Sequence, residues 1–443
     1  MVSRKNWKKL SILLAIVLGI IVCSYLHFGK EESTQLRSNN FQYDVWPPFL
    51  ILSNYSRTWL QSACLSFKTE FSVSNLKSIL SSLQKSPDLN CSLFFKKAHA
   101  LYHVEKRDHS SLLLPRPLQE KVKKWLGNKE SLYHEIYDQE VIHIVNRYTR
   151  EHTIFNPLRD KRPVQALDQP ESLYFSKLLN ETGMECDFCN YKEFTAEHTF
   201  HRVESTYAFS ASNVFKLDPL HALFALKQHD PLHWSKEQFI DLMHLTLTWY
   251  RKAHSVFPQA QYPSLIWDVL PKCGASQVHP HMHGFLDSRQ YHGVVEAWRM
   301  AAEDYYVHRG TNFYTDMAAV ASGLGLAVTY KSAIAFASLV PRKDHEVVIM
   351  SSSAGTDFFE LIYFVLRAFI DDLGKFCYSM GLAYPAMDDK KAQIPAYARI
   401  ITRGAVTEIR ADISSLELFT ATNVNIDPFK VIHFVKNSVL KRS

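Results

Sequence analysis

Three histidines alternate with other residues in the run "GASQVHPHMHGFL" (residues 274–286): His279, His281 and His283. Successive side chains of a β-strand point to opposite faces, so three imidazoles at this spacing would share one face. Such a set could bind a zinc ion outright. It could equally serve a phosphate. A histidine aimed at phosphorus is a competent nucleophile, and neighbouring imidazoles can fix its tautomer or donate to the phosphate oxygens. The preceding turn suits that second use: Gly274, Ala275 and Ser276 are small, and their backbone N–H groups with the Ser276 hydroxyl could hold a phosphate. Pro280 has no N–H to give to a ladder, which suits a strand end or an edge. Three unrelated polar contacts would be the remaining explanation, and the chemistry of the flanking residues argues against it.

The elements that must position these residues lie on either side. "SLIWDVL" reads as a strand, "PKCGAS" as a turn and "QVHPHMHGFL" as the returning strand. Upstream, "SKEQFIDLMHLTLTWYRKAHSVF" predicts a helix with Ser235 as N-cap and Gln238 three residues on, a capping box. Phe239, Leu242, Met243, Leu247 and Tyr250 form most of its apolar face. Before it, "YAFSASNVFKLDPLHALFALKQHDPLHWS" carries two strand-like runs broken by Asp218-Pro219. A fainter copy follows. Residues 332–351 echo "HALFALKQHDPLHWS", with Pro341-Arg-Lys-Asp-His345 standing where Lys227-Gln-His229 stood. Helix-like "DFFELIYFVLRAFIDDLGKF" and strand-like "AYARIITRG" come next. The order predicts an internal duplication, with a catalytic half over residues 146–290 and a degenerate half over 291–443. Residues 29–145, with a predicted helix near 118–126, read as a stem and N-terminal cap.

The chain of 443 residues has room for two or three domain-sized units, and its 47% apolar and 21% charged residues are ordinary for a folded protein. A net charge of +6 favours a phosphate-bearing partner but is too diffuse for a nucleic-acid binder. The N-terminus is different. Arg4, Lys5, Lys8 and Lys9 precede residues 10–28, "LSILLAIVLGIIVCSYLHF", which contain no Asp, Glu, Lys or Arg. At about 1.5 Å per residue this stretch nearly spans a bilayer core of ~30 Å. A cleaved signal peptide is the alternative, but Tyr25, Leu26 and His27 close the segment without a small-residue site. The expectation is an uncleaved transmembrane anchor with residues 1–9 cytoplasmic. Everything after residue 29 would then face the ER or Golgi lumen or the exterior, as in a type II membrane protein. Asn54-Tyr-Ser, Asn90-Cys-Ser and Asn180-Glu-Thr are glycosylation sequons that agree with this topology. Cys64 and Cys91 could pair in an oxidising compartment or remain two buried thiols.

The run "GASQVHPHMH" resembles the histidine-triad (HIT) superfamily, whose signature is His-x-His-x-His behind a Gly-x-Ser turn. Within it, the run is nearer the galactose-1-phosphate uridylyltransferase and dinucleoside-tetraphosphate phosphorylase branch, which has His-Pro-His or Ser-Gln-Pro-His in the same place. "FNPLRDKRP" (residues 155–163) is similar to that branch's Asn-Pro and Arg-x-x-Arg-Pro segment, and the resemblance runs from about residue 147 to the C-terminus. It implies an α+β fold of duplicated HIT-like antiparallel sheets with packed helices, the second half degenerate, here preceded by one transmembrane helix. It also implies that His281 attacks the α-phosphorus of a nucleotide sugar or nucleoside polyphosphate and forms a covalent nucleotidyl-histidine. His283 and Ser276 would hold the phosphate oxygens, and Gly274 and Gln277 would complete the turn around the substrate. Arg159 and Arg162 become candidates for a second substrate's phosphate.

Asn213 and Asp218 stand where HIT-like proteins contact the nucleotide, although turn formation explains both equally well. His221 resembles a family strand position, with a core role as an alternative. Cys186 and Cys189, with His229 and His279, make the Cys₂His₂ set of the zinc-bearing transferases, which implies structural zinc. A disulfide between the two cysteines is the alternative. His345 would be a relic, and His233, His244 and His292 would do surface or packing duty. A homodimer is a further implication. The chain departs from the uridylyltransferases in carrying His283, as HIT hydrolases do, where they carry Gln. Three functions therefore follow: a nucleotidyl transferase, a lumenal HIT-type nucleotide hydrolase, or a non-catalytic binding protein that kept the fold.

Overall fold

On the histidine strand the even-numbered residues Met282, Gly284 and Leu286 are apolar, while the odd-numbered ones are polar except for Phe285. Such a strand buries one face under a helix and leaves the other for a site. The computed structural model describes residues 50–107, 112–137, 139–161, 169–388, 394–409 and 413–443. The expected anchor at residues 10–28, the cytoplasmic tail and Arg162 lie outside the described residues. Within them, no helix is long and apolar enough to cross a membrane.

The architecture is α+β. Strands β1 (Tyr102–Arg107), β2 (Val141–Asn146) and β3 (His152–Phe155) make an antiparallel meander. The large sheet is built from β4 (Ala208–Ser212), β5 (His221–Leu226), β6 (Tyr262–Asp268), β7 (His281–Asp287), β8 (Ala327–Tyr330), β9 (Ala333–Ala337), β10 (Val347–Ser351), β11 (Tyr378–Ala383) and β12 (Ala396–Thr402). Finally β13 (Ala421–Val424) returns to the small sheet, parallel to β3. The large sheet runs β4-β5-β7-β6-β11-β12-β10-β9-β8 and is antiparallel throughout.

The helix Lys236–Val256 begins as the sequence predicts, with Ser235 and Gln238 closing a capping box. Its buried side chains, Phe239, Leu242, Met243, Trp249 and Tyr250 among them, cover the even face of β7 and its neighbours. Gly284 is the point of closest approach. A Cβ there would lie 2.3 Å from Phe224 Cε2 and 2.9 Å from Tyr250 Oη, so only glycine lets the helix seat this deeply.

Directly opposed residues of an antiparallel pair share a face. Reading register across the sheet gives one row: Ala211, Leu223, His283, Ile266, Gly381, Arg399, Val348 and Phe336. The row is symmetric about the β6–β11 pair, as is the order of eight of the nine strands, with β8 extending one edge. Two halves of the form hairpin, helix, hairpin therefore meet edge to edge. The symmetry sets Arg399 opposite His283 in rank and Tyr397 opposite His281. Arg399 is buried between Glu151 and Glu346, and Trp298 Nε1 donates to Glu151 Oε2 over 3.0 Å. The second half thus holds a buried ion cluster where the first holds histidines.

Two expectations need correction. The echo of residues 332–351 is displaced by one strand: that segment is the β9–β10 hairpin, which matches β4–β5 rather than β5 and its following loop. His345 therefore belongs to the counterpart of the Asn213–Asp218 turn, where its Nδ1 lies 2.9 Å from Thr402 Oγ1. β2 runs across residues 145 and 146 and pairs with β3. Lastly, the histidine strand starts at His281 and not at Gln277. Pro280 offers a carbonyl to Leu226 N–H but has no donor of its own, so the two-way ladder cannot reach His279.

Candidate active site and metal site

β7 puts His281, His283, Phe285 and Asp287 on the face away from the long helix. The hydrogen bonds then settle the tautomers. His281 Nδ1 lies 2.7 Å from the carbonyl of His279, which can only accept. Nδ1 therefore carries the proton, and Nε2 is left with a lone pair. Burial pushes this imidazole down to about 4, so the ring is neutral and the lone pair is present at neutral pH.

His283 is set from further away. The backbone N–H of Leu217 donates to His221 Nδ1 over 3.1 Å, so the proton of that neutral ring is on Nε2. Burial, first of all, pushes His221 down to about 4. Its Nε2–H faces His283 Nδ1 at 2.9 Å, which leaves His283 with a donor, Nε2–H, at its outer end. The site therefore presents one nucleophilic nitrogen and, two residues along the same face, one imidazole N–H donor. The ring centroids are 5.3 Å apart.

His279 faces elsewhere. Its Nε2–H donates to the Leu226 carbonyl over 2.7 Å, and its Nδ1 lies 3.4 Å from Cys186 Sγ and 3.8 Å from Cys189 Sγ. His229 Nδ1 lies 3.6 Å from Cys189 Sγ. The Thr182 hydroxyl donates to the Leu178 carbonyl over 2.8 Å and so accepts from His229 Nε2–H at 3.2 Å. Both imidazoles thus turn an Nδ1 lone pair inward, each held by a partner on its other nitrogen, the outer-shell arrangement of metal-ligating histidines. The four donor atoms lie within 4.8 Å of one another. A tetrahedral zinc with Zn–S of about 2.3 Å and Zn–N of about 2.0–2.1 Å requires S···N edges of roughly 3.5 Å. The set fits a metal of that kind. Both cysteines are free thiols, so the disulfide alternative at this pair does not hold.

The turn before β7 is a single 3-10 turn, Pro271–Cys273, closed by Gly274 at φ +116°. No side chain tolerates that conformation easily, and a Cβ would also lie 3.3 Å from Asp268 Oδ2. Ser276 is exposed and Gln277 half-exposed. Neither side chain has a hydrogen-bond partner among the described residues. Cys273 is joined to Cys377, the residue before β11, by a disulfide closing a loop of sequence separation 104. Cys64 and Cys91 form a second. In the chain-entropy picture a loop of about 100 residues contributes about 4–5 kcal/mol. Replacing Cys273 and Cys377 together by alanine should lower the denaturant midpoint accordingly, and any loss of activity beyond that would report the loosened turn.

The remaining candidates scatter. Asn213 Oδ1 accepts from Phe215 N–H over 2.9 Å, a turn-forming bond, while its Nδ2 lies 3.3 Å from His221 Nε2 beside the histidine pair. Asp218 gathers with Asp287 and His292 at the far end of the β7 face, and burial, then Asp287, raise its carboxyl above the ordinary range. Arg159 is exposed on the short turn Pro157–Lys161 after β3. No bond ties it to the histidine strand among the described residues. Two further residues join the site unannounced. Asp268, held by the Ser379 hydroxyl over 2.5 Å, adjoins the Gly274 turn and raises His283 against the lowering effect of burial. Phe188, between the two cysteines, packs on His281 with ring centroids 5.0 Å apart.

No protein-family model matches the sequence, and no curated protein is similar to it. Solved structures are. The chain is similar to an ADP-glucose phosphorylase from Arabidopsis thaliana with bound ADP-glucose, at a TM-score of 0.50 and 12% identity over 66% of this chain and 97% of that one. It also matches a uridylyltransferase structure at a TM-score of 0.48 and 15% identity, over 68% of this chain and 99% of that one. The likeness establishes the fold. It is a mixed α+β arrangement of antiparallel sheets and packed helices, and at this identity the chemistry rests on the chain's own residues.

Proposed function

We propose that this chain is a nucleotidyl transferase that works by double displacement through His281. The carrying observation is the pair of tautomers: a neutral His281 with its Nε2 lone pair free, beside a His283 that presents Nε2–H. In the first step His281 Nε2 forms a bond to the α-phosphorus of a nucleotide sugar or nucleoside polyphosphate. The phosphorus–oxygen bond to the leaving group breaks, its electron pair goes to the departing oxygen, and His283 donates a hydrogen bond to the phosphoryl group or that oxygen. In the second step an acceptor oxygen attacks phosphorus and the electron pair of the N–P bond returns to His281 Nε2. Ser276, Gly274 and Gln277 would line the phosphate, with Asn213 and Asp218 toward the nucleoside. The ADP-glucose bound by the Arabidopsis phosphorylase is consistent with a nucleotide sugar as donor.

Cys186, Cys189, His229 and His279 would hold a structural zinc, whose chemistry is to tie the 183–200 segment to the head of the histidine strand. Arg159 and Arg162 remain candidates for the acceptor's phosphate. Water is the alternative acceptor, favoured by His283 standing where uridylyltransferases carry Gln. Incubating the protein with α-³²P-labelled nucleotides and nucleotide sugars should give an acid-labile, base-stable protein label that maps to the peptide containing His281. Product analysis with and without phosphate or sugar phosphates then separates transfer from hydrolysis. Absence of label from every donor would favour a binding protein.

The same reading places residues beyond 29 in the secretory lumen, tethered by residues 10–28. Its support is the two disulfides and the exposure of Asn54, Asn90 and Asn180. Protein from secretory cells should gain gel mobility on enzymatic deglycosylation, and unchanged mobility would count against lumenal placement.

A further inference from the structure

The segment that carries the two cysteines does more than supply thiolates. Cys189 N–H donates to the Cys186 carbonyl over 3.0 Å, which folds residues 186–189 into a tight turn. Phe188 rides on that turn. Its ring is 6% exposed and lies 5.0 Å from the His281 ring and 5.4 Å from the His279 ring, centroid to centroid. Beneath it are Phe209, Ala211 and Ala225, and Ala225 is the residue directly opposite His281 on β5. The phenyl group therefore closes the His281 side of the site.

His281 needs such a neighbour. Its ring is held by a single hydrogen bond, from Nδ1–H to the carbonyl of His279 in its own chain, which leaves the imidazole able to swing about that contact. His283 stands on one side, and Phe188 packs against another. A nucleophile displaced by even about 1 Å can lose on the order of 10²-fold in rate.

We propose that Phe188 is a positioning residue for His281, and that metal occupancy of the Cys₂His₂ set controls the orientation and solvent exposure of His281 through this ring. With the metal bound, Cys186 and Cys189 are fixed to the same ion as His279, so the phenyl group between them is fixed over the imidazole two residues further on. With the metal removed, the two thiols are tied to the strand by weak S···N contacts, and only its packing on Phe209, Ala211 and Ala225 holds the ring over His281. The inference rests on the reading of His281 as the nucleophile, and its test is chosen to separate the two.

The test is carbethoxylation of His281 by diethyl pyrocarbonate, followed by peptide mass spectrometry. It is run on the full chain loaded with metal, on the same protein after chelation, and on metal-loaded Phe188→Ala and Phe188→Leu. His281 should be protected in the loaded parent and react faster after chelation. Phe188→Ala should react as fast as the chelated parent while still binding its metal, and Phe188→Leu should restore protection. Nucleotidylation should fall on the order of 10²-fold in kcat for Phe188→Ala with KM little changed, and recover with leucine. Equal His281 reactivity in the loaded parent and loaded Phe188→Ala overturns the inference. So does a chelated parent that keeps His281 protected, an arm that stands even where Phe188→Ala does not fold. If carbethoxylation follows Phe188 and the metal while no protein takes nucleotide label, the positioning stands and the nucleophile reading falls.

Discussion

His281→Ala should abolish covalent nucleotide labelling and lower turnover by four or more orders of magnitude, the scale on which losing a catalytic nucleophile acts. No neighbour can substitute. His283 presents a protonated Nε2 because His221 occupies its Nδ1, and His279 turns its lone pair toward the cysteines. The substitution should leave the fold intact, since the Gly284 and Phe224 packing beneath the long helix does not involve His281. His283→Ala removes a donor rather than the nucleophile, and a smaller loss of about 10²–10⁴-fold is expected. Single-turnover labelling and steady-state rates on the same preparations distinguish the two. A His281→Ala protein that still takes acid-labile label would place the chemistry elsewhere.

Withdrawing the proposed metal should give the second large effect. Structural zinc in small finger peptides contributes an apparent 10–16 kcal/mol or so at neutral pH, nearly all of it as folding free energy. Here the effect of the proposed zinc would be local, on the Cys186–Cys189 turn and His229, because the nine-stranded sheet has a core of its own. Part of that segment packs on the sheet without it: Phe188 sits on Phe209, Ala211 and Ala225, Tyr191 stacks on Phe209, His198 and Phe200 pack on Trp249, and Arg202 bonds to Thr195. Without an ion, burial and the adjacent Cys186 push the Cys189 thiol up to about 11, so that sulfur is neutral and attracts the histidines weakly. Cys186→Ser with Cys189→Ser, or chelation of the parent, should therefore lower hydrogen-exchange protection across residues 183–190 and around His229, with a smaller loss over residues 191–200. The strands β6, β11 and β12 should stay protected. Restoring equimolar zinc should reverse the chelated state but not the double variant. Unchanged exchange after verified metal removal would mean that apolar packing alone holds the segment.

Local patterns in the sequence were enough for the elements closest to the chemistry. The capping box at Ser235 and Gln238 starts its helix where predicted, because both partners lie within one turn. The turn Asp218-Pro219 separates β4 from β5, and the alternation through His281 and His283 is that of a strand. The spacing of Cys186, Cys189, His229 and His279 was legible through resemblance, and these four do converge. Elsewhere, local pattern was blind. The apolar runs of β4, β5, β9 and β10 look alike over a few residues, so the echo could be placed a strand out of step; pairing partners, not composition, decide which is which. Cys273 and Cys377 lie 104 apart in sequence with no local signal to pair them, and only the meeting of β6 with β11 brings them together.

The tautomers are the clearest division. Residue order alone puts three histidines at alternate positions behind a small-residue turn. Tertiary structure decided that each would do something different. One faces two thiols carried by a distant loop, one keeps a lone pair because its own chain's carbonyl takes its proton, and one becomes a donor because His221, 62 residues earlier, protonates toward it. An imidazole has one proton for two nitrogens, so its function is set by whichever partner reaches it first in space, and sequence distance does not enter into that.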